Sequence, residues 1–197
     1  HKNYSKWLNS IKLYRSFVMD SMKYTYPYNL IPGHVYILDK INKERFTYNK
    51  NNEEAELNSI INQAKAGIKL GENAYLRIFP CAPQRRGYHA TLLSKTKAVS
   101  MIAKVLGDLE LKQIAIDQLE WVLGKNPFAS STMYGEGYNY HPLYVAFSRQ
   151  MVGALPVGIK TKGDMDIPYW PTRDNAVYKE IWGHTTGKFL WVLADVL

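Results

Sequence analysis

The chain has 197 residues, a formal net charge of +8 and a single cysteine, Cys81. One cysteine excludes an internal disulfide and a zinc site built on several cysteines, and no apolar run reaches the roughly eighteen residues that a membrane-spanning helix needs. The basic residues are scattered, with Arg85-Arg86 as the tightest pair, so the charge favours a solvated basic surface over a nucleic-acid-binding stripe. We therefore expect a globular protein that has neither nucleic acid nor a membrane as a partner.

Apolar residues recur at helical spacing in five segments, which predicts five amphipathic helices. The segments are approximately 7–22, 53–66, 89–106, 111–122 and 181–196. A short strand or extended stretch is expected at 33–38, and the third helix is expected to turn Leu92, Val99 and Leu106 toward the core. Because Gly107-Asp108 leaves only a short turn between the third and fourth helices, these two should lie antiparallel. The pattern predicts an all-α fold of antiparallel helical hairpins, with the long loops gathered on one face.

The connection between the fourth and fifth helices is the unusual part of the chain, because about fifty residues there show no clear periodicity. Loops of that length in a compact domain are usually functional or disordered, and the many tyrosines argue against disorder. Flat amphipathic rings suit the binding of sugars. We interpret the connection as the wall of a binding cleft. Trp170, flanked by Pro168 and Pro171, fits either a stiff stacking platform or a ring buried under the loop.

Four motifs follow one another in this connection. Trp121-Val-Leu-Gly-Lys-Asn-Pro127 precedes Ser131-Thr-Met-Tyr-Gly-Glu-Gly137, then His141-Pro142, and last Val152-Gly-Ala-Leu-Pro-Val-Gly158. Their order resembles the C-terminal signature of glycoside hydrolase family 9, a cellulase-type family, over roughly the last 110 residues. The resemblance implies an (α/α)6 toroid of six helical hairpins. It also implies that residues 1–197 form a single unit in a secreted (extracellular or periplasmic) protein. This unit is either the C-terminal half of a larger catalytic domain whose remainder precedes His1, or a divergent relative of the family.

The same resemblance implies a reaction and a set of residues. Lys179-Glu180 stands where the family has an Asn-Glu pair whose glutamate is the general acid, so Glu180 is the expected proton donor of an inverting glycoside hydrolase. A polysaccharide or oligosaccharide is the expected substrate. The expected substrate-binding residues are His141, Tyr138, Tyr144, Trp170 and Arg86. No cofactor and no essential metal are expected, since no histidine pair has the partners of a catalytic metal site.

The surroundings of Glu180 are expected to decide its role. We expect a helix to begin at Tyr178, which would place Glu180 near a helix N-terminus, where the dipole stabilises the ionised carboxylate. Burial beside Trp182 and Tyr178 would instead favour the protonated form that a proton donor needs. The simpler alternative is that Glu180 only caps the first turn of its helix.

Two departures from the family pattern leave other functions open. His141-Pro142 is followed by Leu143, Tyr144 and Val145 rather than by a second histidine and an arginine, and the chain has no Asp-Ala-Gly-Asp-type motif to supply the base that activates water. The base would therefore lie outside this chain. One alternative is a glycan-binding helical module without catalytic activity. The other is a polysaccharide lyase with a toroid fold, in which Tyr140 or His141 would remove a proton from a uronic acid.

Overall fold

The computed structural model describes residues 3, 5–6, 9–10, 50–70, 75–77, 87–140, 142, 151–163, 165–170 and 176–197. The helix predicted at 7–22 lies almost wholly outside these residues, and the extended segment predicted at 33–38 lies entirely outside them.

The described chain is mostly helical, which confirms the predicted class in its coarse form. The helices are α1 (Lys50–Ala66), α2 (His89–Leu106), α3 (Leu109–Val122), α4 (Ala176–Lys179) and α5 (Gly183–Val196). The sequence did not predict two small antiparallel sheets, which pair β1 (Ile68–Leu70) with β2 (Tyr75–Arg77) and β3 (Lys160–Thr161) with β4 (Pro168–Tyr169).

Helix α2 is the centre of the core. Every residue from 92 to 100 is buried, because α1, α3 and α5 all pack against this helix. Its apolar side chains meet those of α3 and α5 in one continuous cluster, which includes Leu92, Val99, Leu111, Leu119 and Val192. Hydroxyl groups on α2 donate to carbonyls of the same helix, as when Thr96 Oγ1 donates to the Leu92 carbonyl at 2.8 Å. Burial of this apolar surface is the main stabilising contribution.

Helices α2 and α3 are joined by a short turn at Gly107 and Asp108. Gly107 ends α2 in the left-handed region at φ 70°, a conformation that glycine adopts without steric cost. Asp108 then caps α3 by accepting a hydrogen bond from the Leu111 N–H at 3.0 Å, which satisfies one of the free donors at the helix start. Leu106 was expected to face the core, but this last residue of α2 is 56% exposed.

Helix α5 runs parallel to α2, as their hydrogen bonds show. Lys188 Nζ donates to the Ala90 carbonyl near the start of α2, whereas Asp195 accepts from Lys97 Nζ and from Ser100 Oγ further along both helices. The starts of α2 and α5 therefore lie at the same end of the helices as the end of α3. The segments that follow α3 gather at this end, which we call the loop face (the described residues of 123–140, 151–170 and 176–182).

The start of the last helix was predicted wrongly. The four-residue α4 ends at Lys179, and α5 begins only at Gly183. Glu180 and Ile181 lie between them in extended backbone, where Ile181 forms an antiparallel bridge with Pro156. Glu180 is therefore not at a helix N-terminus, and neither the dipole nor a capping role applies to it.

A membrane-spanning helix was not expected, and among the described residues no helix has the length and apolar character to cross a membrane.

Candidate active site

The turn after α3 is organised by Asn126. Its side chain is fully buried, and Nδ2 donates to the carbonyls of Trp121 at 2.8 Å and Ser130 at 2.9 Å. Its Oδ1 accepts from the Phe128 N–H at 3.1 Å. Asn126 therefore has a structural role, because its side-chain amide satisfies backbone groups that would otherwise be buried without partners.

Buried hydroxyl groups hold the next part of the loop. Thr132 Oγ1 donates to the Val122 carbonyl at 2.7 Å and Ser130 Oγ donates to the Asn139 carbonyl at 2.6 Å. The Ser131 N–H donates to the Tyr138 carbonyl at 2.9 Å, so the run 131–138 closes on itself. This closure holds the backbone of Tyr138 while its side chain remains 81% exposed.

A second segment, residues 155–159, is paired on both of its edges. On one edge Val157 N–H donates to the Glu180 carbonyl at 2.9 Å, and Trp182 N–H donates to the Leu155 carbonyl at 3.3 Å. On the other edge the N–H groups of Tyr88 and His89 donate to the carbonyls of Ile159 and Val157. The backbone on both sides of Glu180 is thus fixed to the start of α2 through a buried segment.

The carboxyl group of Glu180 is half-buried and held by one neighbour. Glu180 Oε2 accepts a hydrogen bond from Trp182 Nε1 at 2.8 Å, and within the described part of the chain no donor bonds Oε1. The Trp182 ring in turn packs against the ring of His184, with centroids 4.8 Å apart. Burial, with a smaller contribution from Lys188, lowers the pKa of His184. One carboxyl oxygen is therefore oriented by the Trp182 indole, and no described donor bonds the other.

His89 is a buried polar residue that the sequence analysis did not single out. It is the first residue of α2, its side chain is completely buried, and Nε2 accepts from the Ile159 N–H at 3.2 Å. Nδ1 has no hydrogen-bond partner among the described residues, and burial lowers the pKa of His89 to about 3. Its position after Gly87-Tyr88 at the start of an apolar helix was visible in the sequence, but nothing there indicated that its ring would be enclosed.

The other residues expected to bind substrate are placed as follows. Tyr138 is exposed on the loop face, near the half-exposed Tyr140, whose ring meets that of Tyr134 edge-on at 5.8 Å. Trp170 is only 6% exposed, with the Lys179 ammonium 5.3 Å from its ring centroid. A ring buried to that extent has little surface to offer a sugar, so the described contacts favour the packing alternative for Trp170.

His141, Tyr144 and Arg86 lie outside the described residues. Among the residues that are described, no group of three or more His, Cys, Asp or Glu side chains is arranged to hold a metal ion.

Comparisons with known proteins were made at three levels. Neither the protein-family models, nor the curated proteins, nor the solved structures include a match to this chain. The resemblance to glycoside hydrolase family 9 therefore remains a prediction from the motifs.

Proposed function

We propose that this chain is the C-terminal half of a toroidal glycoside hydrolase and that Glu180 is its proton donor. The observation that carries the proposal is the carboxyl group of Glu180. It is half-buried at the loop face, with Oε2 held by the Trp182 indole at 2.8 Å and Oε1 without a donor among the described residues.

The arrangement of the helices supports the toroid part of the proposal. In a closed ring of helical hairpins, the inner helices run parallel to one another and the outer helices run antiparallel to them. Helices α2 and α5 are parallel neighbours and α3 is antiparallel to both, which is the relation that two inner helices and one outer helix would have. Their common end carries Glu180 and the exposed ring of Tyr138.

In an inverting reaction two carboxyl groups about 6.5–9.5 Å apart share the chemistry. Glu180 would give its proton to the glycosidic oxygen as the bond from that oxygen to the anomeric carbon breaks. A water molecule would attack the opposite face of the sugar and lose its proton to a carboxylate, which we assign to residues that precede this chain. The Trp182 N–H fixes one carboxyl oxygen, so the proton would be carried by Oε1.

The test is Glu180→Gln in the complete enzyme, assayed for reducing-sugar release on a panel of polysaccharides. The substituted amide keeps an oxygen that can accept from Trp182 Nε1 but cannot donate a carboxylic proton. We expect kcat to fall by about 10²–10⁴-fold, the usual contribution of a positioned general acid. Glu110→Gln is the matched control, because Glu110 is exposed on the first turn of α3, at the opposite end of the helices, and should retain the wild-type kcat.

A Glu180→Gln enzyme that hydrolyses its glycan at the wild-type rate would refute the assignment. Ultraviolet absorbance of the same digests separates the alternatives, because a lyase would form unsaturated sugars that absorb ultraviolet light. A binding module would retain the glycan without releasing any reducing sugar.

A further inference from the structure

A lysine and two tyrosines meet beside the backbone that carries Glu180. Lys160 and Tyr169 are cross-strand partners in the β3–β4 pair. Lys160 Nζ lies 3.4 Å from the Tyr178 hydroxyl and 5.4 Å from the centroid of its ring. The ring of Tyr169 meets that of Tyr178 edge-on at 6.4 Å. We refer to these three residues as the Lys160 cluster.

The charge of Lys160 is not matched by an acid in the part of the chain that the structure describes. The residue is half-buried, and no carboxylate in the described ranges lies within ion-pair distance of its ammonium group. The ammonium of Lys97 contrasts with it, because that group is buried against Asp195. An ammonium group has three donors, and the Tyr178 hydroxyl accepts from only one of them. A partly desolvated cation with free donors attracts an anion more strongly than a fully hydrated one does.

The cluster also offers a ring to a ligand. Tyr169 is 41% exposed, and the register places it directly across from Lys160. A sugar stacked on an aromatic ring, with a carboxylate reaching a nearby ammonium, is the contact pattern that a uronic acid would make.

The backbone connects the cluster to Glu180. Tyr178 precedes Glu180 by two residues, and the Tyr178 carbonyl accepts from the N–H of Gly158, which precedes Lys160 by two residues. We propose that the Lys160 cluster is a subsite for an acidic sugar, in which Lys160 pairs with the carboxylate of a uronic acid and Tyr169 stacks on its ring. The proposal rests on the proposed function for the view that the ligand is a glycan.

The experiment measures binding, so that it does not depend on turnover. Tetragalacturonate, a glucuronoxylan oligosaccharide and a hyaluronan tetrasaccharide are titrated calorimetrically into the complete Glu180→Gln protein. Each is compared with its carboxyl-reduced form, which has the same sugar rings without the charge. We expect at least one acidic oligosaccharide to bind about tenfold more tightly than its reduced form, as one charge-assisted contact predicts.

Substitutions then locate the effect. Lys160→Met keeps an unbranched side chain as far as Cε without the ammonium group and should reduce the preference for the acidic form to about twofold or less, whereas Lys160→Arg should retain it. Lys162→Gln removes the same charge from an exposed residue two positions away and should leave the preference unchanged. Tyr169→Ala should weaken binding of the acidic and reduced forms to the same extent, because the ring contacts both.

Several results would overturn the subsite. They are equal affinity for acidic and reduced forms, no binding of any of the three acidic oligosaccharides, or equal losses from Lys160→Met and Lys162→Gln, which would indicate general attraction to a basic protein. If circular dichroism shows that Lys160→Met does not fold, Lys160→Gln takes its place. The subsite then requires that Lys160→Gln lose the preference for the acidic oligosaccharide and that Lys160→Arg keep it. A Lys160→Gln protein that keeps the preference refutes the subsite.

The two proposals fail separately. If the preference for acidic oligosaccharides depends on Lys160 but Glu180→Gln turns over at the wild-type rate, the subsite proposal stands and the assignment of Glu180 as general acid is refuted. If Glu180→Gln is inactive but binds acidic and reduced oligosaccharides equally, the assignment of the general acid stands and the subsite is refuted.

Discussion

Acidification should lower the free energy of unfolding because the side chain of His89 is buried, and the extent of that burial sets the size of the change. The imidazole is completely enclosed at the start of α2, with Nε2 accepting from the Ile159 N–H. The protonated ring would lose that acceptor and place a charge in the apolar core. Burial accordingly lowers the pKa of His89 from 6.5 to about 3.

The direction of the change in the free energy of unfolding follows from proton uptake by the unfolded chain. Between pH 6.5 and about pH 3 the unfolded chain binds a proton at residue 89 and the folded chain does not, so the free energy of unfolding falls as the pH falls through this range. Each pH unit below 6.5 changes it by about 1.4 kcal/mol. At pH 4.5 the loss relative to pH 7.5 should be about 3 kcal/mol from this one residue, and above pH 6.5 the contribution should be nearly constant.

The assay is urea unfolding at pH 4.5, 5.5, 6.5 and 7.5, with His89→Gln as the test variant. Glutamine can still accept from the Ile159 N–H but does not titrate. The variant should therefore be less stable at pH 7.5, and its loss of stability between pH 7.5 and pH 4.5 should be smaller by about 3 kcal/mol. His184→Gln is the matched control: burial lowers its pKa as well, yet the residue is exposed and its contribution should be much smaller. Equal pH dependence of wild type and His89→Gln would show that the ring is not buried as described.

Two further substitutions test the loop face. Asn126→Ala removes three hydrogen bonds inside the turn and should lower the free energy of unfolding by about 2–3 kcal/mol, measured in urea. Gln113→Ala on the exposed face of α3 should change it by less than about 0.5 kcal/mol, and similar losses in the two variants would contradict the structural role of the amide. Gly158→Ala would place a Cβ 2.1 Å from Cγ of the His89 ring, whereas Gly153→Ala, at a similar positive φ, would meet nothing within 4 Å. We therefore expect Gly158→Ala to lower the free energy of unfolding by more than about 4 kcal/mol, and Gly153→Ala to lower it only by the cost of backbone strain. Equal thermal unfolding midpoints for the two variants would rule out the close approach of Gly158 to His89.

Helices α2 and α3 were predictable because their determinants are local. Apolar residues at helical spacing predicted α2 from His89 and α3 almost from its first residue, and the Gly107-Asp108 pair predicted the turn between them. A glycine at positive φ and a capping aspartate act on their own backbone, so their effects can be seen without knowing what packs nearby.

The candidate site was predictable only as a list of residues. Glu180 was singled out from its motif, but its placement at a helix start was wrong, because an apolar run after Tyr178 continues the helical period through a break that local sequence does not reveal. Pairing of Glu180 and Ile181 with residues 155–159 ends the helix there, and that partner lies more than twenty positions earlier in the chain. The sequence is compatible with Trp170 as a stacking platform or as a buried ring, and its contact with Lys179 favours the buried ring.

The sequence by itself determined the helices α1, α2 and α3, most of α5 and the position of the α2–α3 turn, because these depend on residues within a turn or two of one another. Only the tertiary structure decided that α5 runs parallel to α2, that the ring of His89 is enclosed, that Trp182 holds one oxygen of the Glu180 carboxyl group, and that Lys160 faces the Tyr178 hydroxyl. Those outcomes depend on backbone pairing between distant segments and on which side chains lose contact with water, and periodicity within one segment carries no information about either.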